Sequence, residues 1–316
     1  MKDKILQDYQ VRKSNKQKTE FIEYIKNRLA ESGYDREKDI TVESQGKGAF
    51  LSRNIVVGNP EEAKVYLTAH YDTCAVLPFP NLMAPTNPVI FIGYQMVIVV
   101  ILLLFAALVA YPFHLLFHHP LVTYYGFLGG MLLMLYQVMF GYRNKHTAND
   151  NTSGVIAITK ILENLPIEYR NKVCVVYFDN EEKGLFGSAF FAKKHKKTVK
   201  NKLLINLDCV GDGDNIVSLA KRKAREDADY QLLVEVMQSH DAGFDGVYLC
   251  RKMKPMMFPS DQSNYDKGIG ICAVRKSPVG RYVARIHTPL DTRCRKENIE
   301  YLTKVFVDYL GKIKDA

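Results

Sequence analysis

The sequence predicts an α/β fold, a three-layer α/β/α sandwich around a central mixed, mostly parallel sheet, with a two-helix hairpin inserted into it. Two observations predict this fold. Short runs rich in β-branched residues alternate along most of the chain with segments whose apolar residues recur at helical spacing. Residues 73–142, in contrast, contain no Asp, Glu, Lys or Arg, although the 316-residue chain carries 43 basic and 34 acidic side chains. We therefore expect a charged, discontinuous domain of residues 1–74 and 147–316, interrupted by a hairpin over residues 75–146.

The predicted strands and helices follow one another in the order expected of a sheet covered by helices on both faces. The strands are the short apolar runs typical of buried strands, at residues 65–69, 173–178, 203–207, 216–219 and 269–274. The helices are the amphipathic segments at residues 16–31, 152–165, 185–194, 229–242 and 297–313. Gly33, just past the first helix, is typical of a helix end.

Two long apolar runs lie inside the uncharged window. Each has about 20 residues, enough to cross the hydrocarbon layer of a bilayer. Pro88 begins the first run, and Pro112 and Pro120 bracket the connection, where helix ends are expected. We predict transmembrane helices at about 89–111 and 121–142. A hairpin buried in a protein core or a dimer interface is the less favoured alternative, because core helices rarely need two uncharged spans of this length.

Two glycines within the second run predict how the hairpin packs, and the flanks of the hairpin predict its orientation. Gly126 and Gly130 form a small-xxx-small pair that would let the two helices approach closely. The connecting loop lacks Lys and Arg, whereas Arg143 and Lys145 follow the second run and a basic region precedes the first. The positive-inside rule therefore predicts an integral protein of the cytoplasmic membrane, in contact with the lipid bilayer, with its charged domain and both termini on the cytoplasmic side.

Composition excludes several other classes of protein. The 47% hydrophobic content excludes a low-complexity or disordered chain. The net charge of +9 comes with no nucleic-acid recognition motif, so we expect no nucleic-acid partner. Six single cysteines without a C-x-x-C pair predict reduced thiols. The first 21 residues are charged throughout, so we expect no secretory signal peptide.

Histidines and carboxylates follow the predicted strands. In open α/β sheets, ligand sites form at the carboxyl ends of the strands, where residues distant in sequence converge. Each residue alone has a structural explanation, such as a turn, a helix cap or a solvated surface. Together, two histidines and several carboxylates match the mixed nitrogen and oxygen ligation of zinc. The set is His70, Asp72, Asp150, Glu181, Glu182, Asp208 and His287.

These residues lie in motifs that resemble those of the M28 zinc aminopeptidases, a family of the di-zinc exopeptidase clan. The motifs occur in the order found in the family and span nearly all of the charged part of the chain. They are HYDT (70–73), NDNTSG (149–154), DNEEKGLFGS (179–188), NLDCVGDG (206–213), SDQSNYDKGI (260–269) and IHTPLDT (286–292). The resemblance implies a zinc exopeptidase fold and hydrolysis of peptides.

The resemblance also implies a role for each matched residue. Two Zn²⁺ ions would be held by five metal ligands: His70 and Asp208 on one ion, Glu182 and His287 on the other, and Asp150 between both. Glu181 would be the general base, which takes a proton from the attacking water and passes it to the leaving amine. Asp72 would be a further catalytic residue that orients the imidazole of His70.

Three departures from the family pattern limit this transfer of roles. Gln262 stands where a histidine is common, directly after Asp261. Ile286 stands where some aminopeptidases carry a tyrosine that stabilises the oxyanion. Asp261, Tyr265 and Tyr282 are therefore candidate substrate or oxyanion residues. The third departure is the hairpin, which lengthens a segment between the first two motifs that is short in the family.

The sequence therefore predicts a membrane-anchored di-zinc metallopeptidase, an aminopeptidase that removes N-terminal residues from peptides. One alternative is a glutaminyl cyclase, an aminoacyltransferase of related fold that uses a single catalytic zinc. Another is a catalytically inactive membrane receptor or scaffold of the same fold. The complete ligand set and Glu181 argue against the second alternative.

Overall fold

The computed structural model of the chain describes residues 3–77, 81–240, 248–249, 257–278 and 280–314. Nine strands form one sheet within these residues. They are β1 (Ile40–Gln45), β2 (Ser52–Val57), β3 (Val65–His70), β4 (Val173–Phe178), β5 (Leu203–Leu207), β6 (Asn215–Ala220), β7 (Tyr248–Leu249), β8 (Gly268–Ser277) and β9 (Gly280–Tyr282). The helices are α1 (Lys4–Asp8), α2 (Asn15–Glu31), α3 (Pro88–Phe117), α4 (Pro120–Phe140), α5 (Gly154–Asn164), α6 (Phe186–Lys194), α7 (Lys196–Val199), α8 (Arg222–Arg225), α9 (Ala228–Ser239) and α10 (Lys296–Lys312).

The sheet is mixed, and its centre is parallel. The strand order is β1-β2-β4-β3-β5-β8-β6-β7, with β9 paired to β8. Strands β4, β3, β5 and β8 run parallel to one another, whereas β2 and β6 flank this block in antiparallel pairs. All five predicted strands are present. Strands β1, β2, β7 and β9, which the sequence did not predict, lie toward the edges or are only two or three residues long, so their apolar signal is weak.

Helices cover both faces of the sheet, which confirms the predicted three-layer architecture. On one face, α2, α5, α9 and α10 pack on the sheet around Phe21, Ile158 and Phe306. On the other face, α6 and α7 pack around Phe178 and Phe191. The start of α2 is capped reciprocally by the side chains of Ser14 and Gln17. The last residues predicted for the helix at 229–242 lie outside the described residues.

The described cysteines are free thiols, at positions 74, 174, 209, 272 and 294. This agrees with the prediction of reduced cysteines. Cys250 lies outside the described residues.

Helices α3 and α4 form the predicted hairpin. With 30 and 21 residues, both are long and apolar enough to cross a membrane, and only 11% and 17% of their most apolar stretches are buried inside the protein. Helix α3 continues through Pro112 to Phe117 rather than ending near residue 111. A single proline removes one backbone hydrogen bond, and the apolar residues that follow it continue the helix. His118, in the left-handed conformation, ends α3.

The two helices pack through small residues, as the sequence predicts. A Cβ atom placed on Gly130 would lie 2.8 Å from the Cα atom of Ala106, and one on Gly126 would lie 3.2 Å from the Cα atom of Ala110. Ala106 and Ala110 are themselves buried. Close approach of the two backbones therefore depends on the absence of side chains at both glycines.

We expect Gly130→Leu to force the hairpin apart and to lower the midpoint of thermal unfolding in detergent. Overpacking of a tight contact costs about 1–3 kcal/mol. Gly129→Leu is the matched control, because a Cβ atom at Gly129 meets no atom within 4 Å. Equal unfolding midpoints for the two variants would contradict this account of the packing.

The base of the hairpin is hydrogen-bonded to the α/β domain. Val76 N donates to the carbonyl of Tyr142 at 2.8 Å, which joins the two flanks of the hairpin to each other. Leu77 N donates to the carbonyl of His287 at 3.1 Å, and Val283 N donates to the carbonyl of Met83 at 2.8 Å. The hairpin therefore begins beside the segment that carries His287.

Candidate functional site

Parallel strands carry the first group of site residues to one edge of the sheet. His70 is the last residue of β3, Glu181 and Glu182 follow β4, and Asp208 follows β5 directly. Because these three strands are neighbours and run in the same direction, their carboxyl ends meet. Asp150 reaches the same place from the turn before α5, where the Asp150–Asn151 peptide bond is cis.

The side chains converge as two groups that share Asp150. His70 Nε2 lies 3.3 Å from Asp150 Oδ1 and 3.6 Å from Asp208 Oδ1. His287 Nε2 lies 3.0 Å from Asp150 Oδ2 and 3.3 Å from Glu182 Oε2. Each carboxylate oxygen of Asp150 thus faces a different histidine. Two cations bridged by one carboxylate require this arrangement of donors.

Asp72 contacts the turn that carries the two glutamates. Its Oδ1 accepts a hydrogen bond from Glu181 N at 2.9 Å, and its Oδ2 faces Glu182 N at 3.3 Å. The same Oδ1 lies 3.6 Å from Nδ1 of His70, which is longer than a normal hydrogen bond. The backbone carbonyl oxygen of Asp72 lies 3.2 Å from the same Nδ1, so Asp72 contacts both the turn that carries the two glutamates and the imidazole of His70.

Two residues that the sequence did not single out hold the Asp150 turn. The carboxylate of Asp291 accepts hydrogen bonds from Asn149 N at 2.7 Å and from Asp150 N at 3.0 Å. Asn149 Oδ1 in turn accepts from Gly211 N at 2.8 Å and from Asp212 N at 2.9 Å. Both residues lie inside the recognised motifs, and that position was the only sequence signal for them.

Two fully buried cationic side chains from the N-terminal region donate hydrogen bonds to the segments that carry the site residues. Arg12 donates to the carbonyl of Tyr71 and, at 3.1 Å, to Thr152 Oγ1. Lys18 Nζ donates to Asp179, and at 2.7 Å to Asn180 Oδ1. The sequence did not reveal these contacts, because the N-terminal region is charged throughout and nothing in it marks which cations are buried.

Carboxylates dominate the electrostatics of the cluster. Burial disfavours the protonated ring of His70, yet the surrounding carboxylates, Glu181 foremost, raise its pKa well above the ordinary value. Burial opposes protonation of His287 as well, but Glu182 and Asp150 raise its pKa to about 9. Burial, partly offset by His287, raises the pKa of Glu182 to about 8. Burial, with the nearby charge of Asp150, therefore favours the protonated carboxyl of Glu182, and a bound cation would favour its charged form.

The donor set fits divalent metal ions. Within the described residues, Glu182 Oε1 and Asp208 Oδ1 are buried without a hydrogen-bond partner. His70, Asp150 and Asp208 place one ligand atom each within 4.8 Å of one another, and so do His70, Glu181 and Glu182. Imidazole nitrogens with carboxylate oxygens are the donors that catalytic zinc takes.

The three candidate substrate residues have different surroundings. Asp261, in the short helix Asp261–Asn264, is fully buried, and neither of its carboxylate oxygens accepts a hydrogen bond of normal geometry from the described residues. Burial raises its pKa to about 7, and the charge of His70 and the nearby hydroxyl of Ser188 oppose that shift. Tyr282 lies on β9, opposite Arg275.

The structure contradicts the prediction that Tyr265 is a substrate or oxyanion residue. Its ring packs in the core of the face covered by α6 and α7, stacked on Phe178, and its hydroxyl donates to the carbonyl of Ser188 at 2.9 Å. Its side chain is buried and its donor is used, so it offers nothing to a developing oxyanion. The prediction failed because the apolar environment of Tyr265 arises from strands distant in sequence.

Solved structures share this fold. LapA aminopeptidase of Legionella pneumophila is 12% identical, with a TM-score of 0.53 over 98% of this chain and 69% of its own. LapB of the same organism is 15% identical, with a TM-score of 0.54 over 97% of this chain and 68% of its own. The glutaminyl cyclase of Macrostomum lignano is 13% identical, with a TM-score of 0.55 over 96% of this chain and 86% of its own. No curated protein sequence matches the chain.

The model of one protein family matches residues 136–307, more than half of the chain. The match begins within α4 and includes Asp150, the Glu181–Glu182 pair, Asp208 and His287. His70 and Asp72 precede the matched region, on the other side of the inserted hairpin. By this match, the chain belongs to peptidase family M28.

Proposed function

We propose that the protein is a membrane-anchored di-zinc aminopeptidase. The observation that carries the proposal is the pair of histidine–carboxylate groups that share Asp150, each with oxygen and nitrogen donors a few ångströms apart. In this proposal His70, Asp150 and Asp208 hold one ion, and Asp150, Glu182 and His287 hold the other. Bound zinc would supply Lewis-acid catalysis and lower the pKa of a water molecule.

In the proposed reaction, Glu181 transfers a proton. It follows β4 beside the ligand Glu182, and its backbone N–H is held by Asp72 at 2.9 Å. Unlike Glu182, it forms no close ion pair with a histidine among the described residues, although its charge is the leading one that acts on His70. In the proposal it takes a proton from water and delivers it to the leaving amine.

The membrane anchor in the proposal is the α3–α4 hairpin. Its apolar stretches are mostly exposed, and exposed apolar surface of this extent needs a covering environment. Arg143 and Lys145 follow it, and by the positive-inside rule they support a topology with the α/β domain and both termini on the cytoplasmic side. Extraction of the protein from membranes by alkaline carbonate, without detergent, would contradict the anchor.

A substrate panel tests the peptidase. The zinc-loaded full chain in detergent is assayed against aminoacyl arylamides and against peptides with N-terminal glutamine, and its zinc content is measured. We expect release of the arylamine, no cyclised product and two zinc ions per chain. The Glu181→Gln variant serves as the control for contaminating peptidases.

One other activity remains a candidate, because a glutaminyl cyclase shares the fold over most of its length. Cyclisation of N-terminal glutamine with one zinc ion per chain would replace the proposed function with that activity. A chain that binds no metal and turns over neither substrate class would instead be an inactive receptor or scaffold.

A further inference from the structure

Cys74 lies beside the proposed metal centre, although it is not among the ligands that the family resemblance implies. It follows His70 by four residues, at the point where the chain leaves the α/β domain for the hairpin. Its side chain is buried, with 1% of the residue exposed. Its Sγ atom and one ligand atom each of Glu182 and His287 all lie within 4.8 Å of one another. Glu182 and His287 approach each other to 3.3 Å, between Oε2 and Nε2.

The three donors lie close enough together to share one metal ion after small movements of their side chains. A point central to three atoms that are at most 4.8 Å apart lies within about 2.8 Å of each, close to zinc bond lengths of about 2.0–2.3 Å to nitrogen, oxygen and sulfur. Small rotations of the side chains would bring all three donors to bonding distance.

The contacts around the sulfur are polar. Asn144, which follows the hairpin, points its Nδ2 toward Cys74 Sγ at 3.8 Å and donates from the same atom to the carbonyl of Thr288 at 2.9 Å. Its backbone N–H also donates to the carbonyl of Cys74 at 3.2 Å. The N–H group of Asn144 favours the thiolate, whereas burial and the charges of Glu182 and Asp150 raise the pKa of Cys74 well above its usual value, as expected of a thiol that needs a bound cation to ionise. Glu182 Oε1 is buried without a hydrogen-bond partner among the described residues.

We propose that the Cys74 thiolate is a further ligand of the metal ion held by Glu182 and His287. The inference rests on the metal centre of the proposed function and adds a sulfur donor to it. On binding, the thiol loses its proton to solvent and sulfur donates an electron pair to the metal, as for any cysteine ligand.

The thiolate makes the two metal positions unequal. With Asp150, the ion at Glu182 and His287 has four protein donors, which is the number found in closed zinc sites. The ion at His70 and Asp208 has three protein donors, counting Asp150, and keeps a position open for water or substrate. The flanks of the hairpin, through Cys74 and Asn144, thereby take part in the metal centre.

Cobalt substitution tests the proposal. The full chain in detergent is stripped of metal and titrated with Co²⁺, and its absorption spectrum is recorded for the wild type, Cys74→Ser, Cys74→Ala and Cys174→Ala. Cys174 is the matched control, because it is a buried free thiol on β4, in the core covered by α6 and α7. We expect visible cobalt bands in all four proteins, with a near-ultraviolet sulfur-to-cobalt charge-transfer band in the wild type and Cys174→Ala only.

Binding of one Co²⁺ equivalent should also weaken by at least about tenfold in both Cys74 variants, since even indirect partners of a metal site are worth 10–100-fold in affinity. Visible bands without the charge-transfer band in the wild type would overturn the thiolate ligand and leave the metal centre standing. A charge-transfer band that persists in Cys74→Ser would also overturn it. Absence of all cobalt bands in the wild type would refute the proposed metal centre and this ligand together. A wild-type spectrum without the charge-transfer band overturns the ligand even if a variant fails to fold, and Cys74→Ala assigns the band if Cys74→Ser does not fold.

Discussion

Glu181→Gln is expected to keep its metal and to lose turnover. The amide has nearly the shape of the carboxylate but cannot take a proton from water, and general base catalysis contributes about 10²–10⁴-fold. The kcat value for an aminoacyl arylamide should therefore fall by that factor, with KM little changed. The backbone N–H of residue 181 still donates to Asp72, so the turn is preserved.

The matched variant is Glu182→Gln, one residue further along the same turn. Glu182 faces His287 at 3.3 Å, so its loss should reduce the metal content, which Glu181→Gln should not do. Elemental analysis of both purified variants, beside their kinetics, separates the two roles. Full peptidase activity in purified Glu181→Gln protein would refute the assignment of the base.

Asp150→Ala is expected to empty both metal positions. Each oxygen of this carboxylate faces a different histidine, at 3.3 Å for His70 and 3.0 Å for His287, so one substitution removes a ligand from both ions. We expect the affinity for zinc to fall by more than about 100-fold, beyond the effect of losing an indirect partner. Activity should fall below detection, and added zinc should restore little of it.

Asp266→Ala is the control, because Asp266 forms an exposed ion pair with Lys223 away from the cluster. Zinc content is measured by elemental analysis after dialysis, and folding by circular dichroism. Retention of two zinc ions by Asp150→Ala would show that this residue does not bridge them. Loss of one ion only would assign Asp150 to a single position.

The sequence by itself determined the central strands and the hairpin. Strands β3, β4 and β5 are runs of buried, mostly apolar residues, and their signal is local because burial on both faces favours apolar side chains along the whole strand. The hairpin is equally local, since the absence of charge from residue 73 to 142 needs no tertiary information. The candidate residues that follow β3, β4 and β5 could be expected to converge because parallel strands bring their carboxyl ends together.

Only the tertiary structure decided which side chains support that site. Asp72 meets the turn after β4, Asp291 meets the turn before α5, and Arg12 meets Thr152, in each case across a large separation in sequence. These side chains are charged residues within charged segments. A solvated surface has the same composition, so the sequence does not distinguish the two. Tyr265 was misplaced for the corresponding reason, because its partners Phe178 and Ser188 come from other elements. Hydrogen bonds and burial depend on distances between elements, and a one-dimensional pattern contains the apolar periodicity of each element but not those distances.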